Sequence, residues 1–334
     1  MKKIGRSSYL FENTYLKASA TVAGPKEGDG PIGHYFDQII SDLYNNEKTY
    51  EKCEIKMVKT VIDLLLNKAN INKDNIDLAI AGDLINQNVI ANYALRDYEI
   101  PFIGIYNACA TSTLGLIIAS TFTDSYLANN VLTFTSSHNA TAERQYRYPT
   151  EYGGQKPDSA TYTVTGSGGA IVSNEKSKIM IKKATIGTIF DYEENDPFDM
   201  GSAMAPAAFH TLKTHFNDFK IKPSEYDLIL TGDLSTIGKN ILLDLFKNTP
   251  FDMTKNYNDC GLLVYDVDYD SVFSGGSGAG CSSLVTFSYV VNGLKNGIFK
   301  KVLICATGAL MNPIMINQKE TIPAIAHAVS LEVE

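Results

Sequence analysis

The sequence is short of arginine, of paired cysteines and of long apolar runs, and each shortage removes a class of function. Four arginines stand against 25 lysines in 334 residues, and 37 acidic residues against 29 basic ones leave a formal charge of −8. That balance argues against a surface built mainly to hold nucleic acid or an anionic membrane, so no nucleic-acid partner is expected. The five cysteines, at 53, 109, 260, 281 and 305, are odd in number and widely spaced. They fit neither a disulfide framework nor a zinc site, which points to a reducing compartment and to no metal or cofactor. The longest apolar runs, such as Leu114 to Phe122, are broken by Ser, Thr and Gly, and none reaches the roughly 18–20 residues that cross a bilayer. The N-terminal MKKIGRSSYLFENTYLKAS has no apolar stretch of signal-peptide length. A soluble chain is expected, or one held at a membrane only through a partner.

What is present is enough apolar material for a core: 44% of residues are hydrophobic and 20% charged. Disorder and low complexity are thereby excluded. The length suggests two domains or one large α/β unit.

The most informative feature is an internal repeat. IDLAIAGDL (Ile76 to Leu84) and YDLILTGDL (Tyr226 to Leu234) each read as a short buried strand ending in Gly-Asp. Each follows an amphipathic helix pattern. The first spans about Glu54 to Lys68, with Ile55, Val58, Ile62, Leu65 and Leu66 in a stripe; the second spans about Ala207 to Phe219, with Phe209, Leu212, Phe216 and Phe219. Downstream, NACATSTLGLIIAS (Asn107 to Ser120) and SGAGCSSLVTFSYV (Ser277 to Val290) each read as a turn followed by a helix of small residues. NNVLTFTSS (Asn129 to Ser137) and KKVLICATG (Lys300 to Gly308) each read as a buried strand. Helix–strand–turn–helix–strand therefore occurs twice. That order predicts mostly parallel sheets covered by helices, in two similar halves packed as one pseudo-symmetric body. The division is expected at residues 1–170 and 171–334.

Between the repeats, Asn139 to Ser167 is polar, aromatic and punctuated by Gly and Pro; it reads as a long functional loop or cap within the first half. Asp191 to Ala205 (DYEENDPFDMGSAMA) reads as an acidic insertion. The glycine-rich GSGGA and SGGSGAG lack the Lys-Ser/Thr of a phosphate loop and read as close-packed turns.

Duplicated halves, with Cys109 at a strand-to-helix turn in NACATS, resemble the thiolase-like superfamily of thiolases and ketoacyl synthases. The resemblance implies an α/β fold with two pseudo-repeated halves in five layers and a nucleophilic cysteine at a buried helix N-terminus. There the helix dipole would favour a thiolate. It also implies a second-half His at the end of LILTGDLS and a second-half Asn in SGGSGAG. This chain has Thr231-Gly232-Asp233 in the first place and Gly276 or Ser277 in the second. Condensation by the usual route is therefore not expected, and Cys109 stands as a vestigial catalytic residue.

A more specific similarity follows from SSHNATAERQYRYPTEYGGQ (Ser136 to Gln155), AGPKEGDGPIG (Ala23 to Gly33) and NDPFDMGSAMAPAA. These resemble the stage V sporulation protein AD family, thiolase-fold proteins of spore-forming Firmicutes. The resemblance implies a non-catalytic protein that binds dipicolinic acid, alone or with calcium, for uptake into the developing spore. It further implies a soluble protein peripherally attached to the spore inner membrane through membrane proteins of the same operon. Thiolase relatives also suggest a homodimer, by analogy alone. Two rivals remain open: an acyltransferase using Cys109 with His138 or His210 as base, and a scaffold for membrane partners with a vestigial pocket.

A flat pyridine dicarboxylate calls for an apolar slot and, ideally, the bidentate fork of arginine. Two of the four arginines, Arg144 and Arg147, fall in one four-residue window. They either contact the ligand or brace the cap by pairing with Glu143 or Glu151. The pocket is expected where Cys109 meets the second-half glycine turn. The candidate ligand set is Asn107, Cys109, His138, Arg144, Gln145 and Arg147, with Gly276 and Ser277 from the second half. His138 either donates to a ligand carboxylate or is a satisfied strand-end group. Asp83 and Asp233, equivalent in the repeat, are expected to cap their turns, the alternative being a share in holding calcium.

Overall fold

The computed structural model describes residues 1–146 and 155–333. Ten strands form the main path of one extended sheet. In the first half they are β1 (Tyr15–Ala23), β2 (Leu78–Asp83), β3 (Phe102–Gly104), β4 (Asn130–Ser137) and β5 (Gly166–Ser173). In the second they are β6 (Ile179–Ile186), β7 (Leu228–Thr231), β8 (Tyr257–Asp259), β9 (Lys301–Ala309) and β10 (Ala324–Val333). The order across the sheet is β8-β7-β9-β10-β6-β1-β5-β4-β2-β3, so the halves mirror one another about the β6–β1 pair, which is joined at Met180 and Tyr15.

The repeat extends to single hydrogen bonds. Asp77, just before β2, accepts the backbone N–H groups of Asn129 and Asn130 at the start of β4, at 2.6 and 3.1 Å. Asp227, just before β7, accepts those of Lys300 and Lys301 at the start of β9, at 2.6 and 3.0 Å. One carboxylate in each half thus fixes the register of the parallel pair that follows.

The sheet is not mostly parallel, contrary to the sequence expectation. β3, β2 and β4 run parallel, as do β8, β7 and β9. After β4 and β9, however, the chain re-enters antiparallel as β5 and β10. Helical crossovers impose parallel pairing only on the strands they connect, and the cap that follows β4 is not such a crossover.

Helices α1 (Tyr50–Ala69), α2 (Thr111–Asp124), α3 (Asn139–Tyr146), α4 (Met200–Phe219), α5 (Ser235–Phe246), α6 (Ala279–Val285) and α7 (Pro313–Asn317) complete the layers. α1 starts where the Thr49 hydroxyl accepts the Lys52 N–H and stops at Asn70 in the left-handed region. Its buried stripe, Met57, Val58, Val61, Ile62 and Leu65, covers the first half-sheet, while α4 covers the second. α2 and α6 lie between the half-sheets, which gives the five layers. Small residues permit this. The Ser112 and Ser282 hydroxyls meet at 2.6 Å across the two central helices, and a Cβ at Gly115 would come within 2.4 Å of the Thr133 hydroxyl.

Two segments read as irregular are partly helical. α4 begins at Met200, seven residues before the expected start, because the Asp199 carboxylate caps it by accepting the Ser202 N–H at 3.0 Å. α3 occupies the first eight residues of the cap.

Candidate functional site

The C-terminal ends of β2, β4, β7 and β9 converge on the start of α2, where α/β sheets commonly place their ligands. The turn from β3 into α2 is held by Thr111. Its hydroxyl accepts the Asn107 N–H at 3.0 Å and donates to the Ala108 carbonyl at 2.7 Å. Ala108 is in the left-handed region at φ 49°, a strained conformation of the kind found at functional turns. Cys109 follows, buried, with Ala110 and Thr111 opening the helix.

The thiol of Cys109 meets the carboxyl of Asp233, which projects from the end of β7. Asp233 Oδ1 accepts the Thr307 hydroxyl at 2.7 Å, and Oδ2 accepts the Gly278 N–H at 3.0 Å. Burial pushes Asp233 up to about 7 despite these bonds and the one from Cys109. The backbone here admits no side chain. Gly278 has φ 108°, and a Cβ at Gly308 would lie 2.4 Å from the Asn107 carbonyl.

In front of this pair lies a narrow pocket with about 40 Å³ of free volume, open to solvent at its mouth. Leu84, Tyr106, Ala142, Met200, Ala309 and Met311 give it apolar walls, Tyr146 packs against both the Leu84–Ala142 and the Met200–Met311 clusters, and Thr163, Ser277 and Gly278 complete the lining. The Tyr106 and Tyr146 hydroxyls meet at 2.7 Å, and Tyr146 donates to the Leu84 carbonyl. The result is an apolar slot with Cys109 at its base and Asp233 fully buried behind that thiol rather than lining the slot. Among the described residues no Lys, Arg or His lines it, and none form a cluster of three or more His, Cys, Asp or Glu side chains that could hold a metal.

The candidate residues separate accordingly. Cys109 and Ser277 line the pocket; the Ser277 hydroxyl accepts from Thr161 at 2.7 Å. Asn107 sits behind the turn, its side-chain amide 3.0 Å from His327 Nε2. Gly276 is turned away, its carbonyl accepting the Ser235 hydroxyl at 2.9 Å. Gln145 supports the wall from outside, donating to the Leu84 carbonyl and accepting the Asn86 N–H, both at 3.0 Å.

Arg144 does not face the pocket. Its guanidinium pairs with Glu51 of α1, with half of the Arg side chain exposed. The bracing partner is thus Glu51 rather than Glu143, which instead pairs with Lys156 at 2.7 Å. Arg147 and Glu151 lie outside the described residues. His138 is a structural group: Nε2 bonds the Leu43 carbonyl at 2.9 Å and Nδ1 accepts the Ala140 N–H at 3.2 Å. Burial lowers its pKa, and with both nitrogens engaged it offers no proton to a ligand. His210 stacks on Phe190 at 4.1 Å, away from the pocket. His215 is buried between Thr185 and Tyr226, and burial depresses it to about 3.

Asp83 caps its turn as expected, accepting the Ile85 and Ala91 N–H groups, each at 2.9 Å. Asp233 does not. Its capping duty is taken by Asp259, which accepts the Leu234, Ser235 and Gly261 N–H groups at 2.9 Å. Asp233 is thereby free to point across the halves to Cys109. The signal for this was the Asp standing where the family's catalytic His would be.

Fold and pocket together define a thiolase-like protein with a buried carboxyl, Asp233, against the cysteine of its slot. Solved structures share the architecture. A 3-oxoacyl-[acyl-carrier-protein] synthase III from Aquifex aeolicus VF5 matches with a TM-score of 0.59 and 15% identity, over 96% of this chain and 99% of that one. Cerulenin-bound OleA from Xanthomonas campestris matches with a TM-score of 0.60 and 12% identity, over 98% and 99%. At such identities the likeness is one of fold. Sequence goes further: the family model for stage V sporulation protein AD matches residues 5–332, and the chain belongs to that family. The stage V sporulation protein AD of Bacillus subtilis (strain 168) is 49% identical over 333 residues, 99% of this chain and 98% of that protein. Among the described residues no helix is long and apolar enough to cross a membrane.

Proposed function

We propose that this sporulation protein binds dipicolinate, or its calcium chelate, in the slot at Cys109 without transforming it, and presents it to membrane proteins of the same operon at the spore inner membrane. The observation that carries this reading is the pairing of an open apolar slot with a base that lacks an imidazole. Asp233 stands in its place, held by Thr307 and Gly278.

The slot's walls suit the faces of a flat ring. Its charge does not suit a bare dianion, since no described cation lines it. Neutralisation then comes from calcium carried by the ligand, and burial is eased when the Asp233 carboxyl behind Cys109 is protonated and uncharged. A desolvated carboxylate without either would be too costly to bury. The end strand β3, which among the described residues pairs with β2 alone and carries the exposed Ile103, is the edge on which a second copy would pair.

Calorimetry tests the site. Intact protein is expected to bind one dipicolinate, more tightly with equimolar calcium. Ala142→Phe, which fills the slot from α3, is expected to weaken binding at least a hundredfold. Arg144→Ala should change it less than twofold, because that side chain faces Glu51. Binding that survives Ala142→Phe would place the ligand elsewhere.

A second outcome concerns chemistry. Incubation with acetyl-CoA or long-chain acyl-CoA, followed by intact-mass measurement, is expected to leave Cys109 unmodified. A stoichiometric thioester would instead make this an acyltransferase, with Asp233 as the base.

A further inference from the structure

Beside the slot's mouth lies an apolar surface made by two segments that are tied together. Residues 187–199 run against 321–324: Phe190 and Ala324 exchange N–H···O bonds of 2.8 and 2.7 Å, and the Ile322 N–H reaches the Glu194 carbonyl at 2.7 Å. The Thr321 hydroxyl donates to Asp191 at 2.6 Å, and the Glu320 N–H reaches back to the Met315 carbonyl of α7 at 3.1 Å. The surface is therefore held in place by hydrogen bonds at several points. Four large apolar side chains project from it: Ile189, Tyr192, Ile314 and Met315 are 63%, 59%, 67% and 45% exposed. It adjoins the slot, because Met200, which follows residues 187–199, and Met311, two residues before α7, both line the slot.

Carboxylates dominate the charge of these segments. Residues 187–199 carry five carboxylates, at 191, 193, 194, 196 and 199, and no cation; residues 310–323 add one lysine and one glutamate. Among the described residues none of the five is ion-paired with a Lys or Arg. This charge selects the occupant. A second copy across a two-fold axis would set the same carboxylates against each other. An anionic leaflet would repel them. A protein segment bearing apolar residues flanked by Lys and Arg would satisfy both the exposed side chains and the carboxylates. Loops on the cytoplasmic side of membrane proteins carry that excess of Lys and Arg.

We propose that this surface is where the protein docks on its membrane partner, through a basic, apolar juxtamembrane loop of that partner seated against Ile189, Tyr192, Ile314 and Met315. The inference rests on the membrane-partner reading above and adds the surface and its chemistry. It sets the mouth of the slot beside the partner, so that ligand leaving the slot meets the membrane protein first.

The test is co-sedimentation of the full chain with vesicles reconstituted with the operon's membrane proteins, alongside vesicles of the same lipids alone. Intact protein is expected to sediment only with the first kind, with affinity falling as salt rises. Ile314→Asp and Glu193→Lys, both on exposed side chains, are each expected to weaken association at least tenfold and to leave dipicolinate binding unchanged. Variants that sediment like the intact protein would overturn the surface assignment. So would equal binding to bare lipid, or loss of a dimer in Ile314→Asp by analytical ultracentrifugation. Intact protein that sediments with neither vesicle would overturn the membrane-partner reading itself.

Discussion

Dipicolinate affinity is expected to fall about tenfold or more between pH 6 and pH 8, and Asp233→Asn is expected to abolish that fall. Asp233 lies fully buried behind Cys109 at the base of the slot, and burial raises it to about 7. Below that value the carboxyl is protonated and puts no charge behind the slot. Above it, an anion faces an anion in a site with little water. The Thr307 hydroxyl and the Cys109 thiol can both rotate as the proton arrives, so the carboxyl need not leave its place. An amide at 233 is uncharged at every pH, so the variant should bind at pH 8 as it does at pH 6. Asp233→Ala, uncharged as well, is expected to lose the pH dependence too. A tenfold change corresponds to about 1.4 kcal/mol. Titration calorimetry of the three proteins across pH checks it. An Asp233→Asn protein with the same pH profile as the parent would remove Asp233 from ligand recognition.

The second large effect is on stability. Burial raises Asp259 and four further buried carboxyls: Asp83 to about 6, Glu27 and Asp233 to about 7, and Glu54 to about 8. In the unfolded chain such groups titrate near 4. A folded value above the unfolded one means that the native state holds the proton more tightly. The stability this confers is complete below about pH 4 and is lost as pH rises through 6 to 8. The melting temperature is therefore expected to be about 5–10 °C higher at pH 6 than at pH 8.5, a few kcal/mol spread over four groups. Glu54 contributes most to the upper end of that window. It accepts the Ser136 hydroxyl at 2.7 Å and the Thr141 hydroxyl at 3.2 Å, which ties α1 to β4 and the cap helix α3. Glu54→Gln keeps a carbonyl acceptor and carries no charge. It should flatten the alkaline part of the profile, as read by calorimetry or circular dichroism. Equal melting temperatures at pH 6 and 8.5 would mean that water reaches these carboxyls.

The fold was legible because the duplication is written in local signals. The two GDL strands, the two small-residue helices and the two buried strands recur in one order, and the matching Asp77 and Asp227 clips show that even the strand starts are shared. Sheet direction was less legible, because β5 and β10 return after long excursions whose path no local pattern specifies. In the site, position was readable and side-chain direction was not. Cys109 and Ser277 line the slot as their turns suggest. Arg144 finds Glu51, far away in sequence, and His138 spends both nitrogens on backbone groups. Asp83 and Asp233 look equivalent in the repeat, yet only the first is a cap. The difference lies in Asp259, which β8 brings to the second turn by tertiary contact. The Tyr106–Tyr146 pair and the two methionines of the slot come from four separate segments and carry no shared motif.

The central claim is that the slot at Cys109 grips dipicolinate and leaves it unchanged, and a crystal grown with dipicolinate and calcium tests it most directly. Ring density is expected among Met200, Met311, Tyr106 and Tyr146, with one carboxylate beside Cys109 and its sulfur unmodified. A slot left empty at saturating ligand, with the diacid ordered elsewhere or a covalent adduct on Cys109, would contradict it.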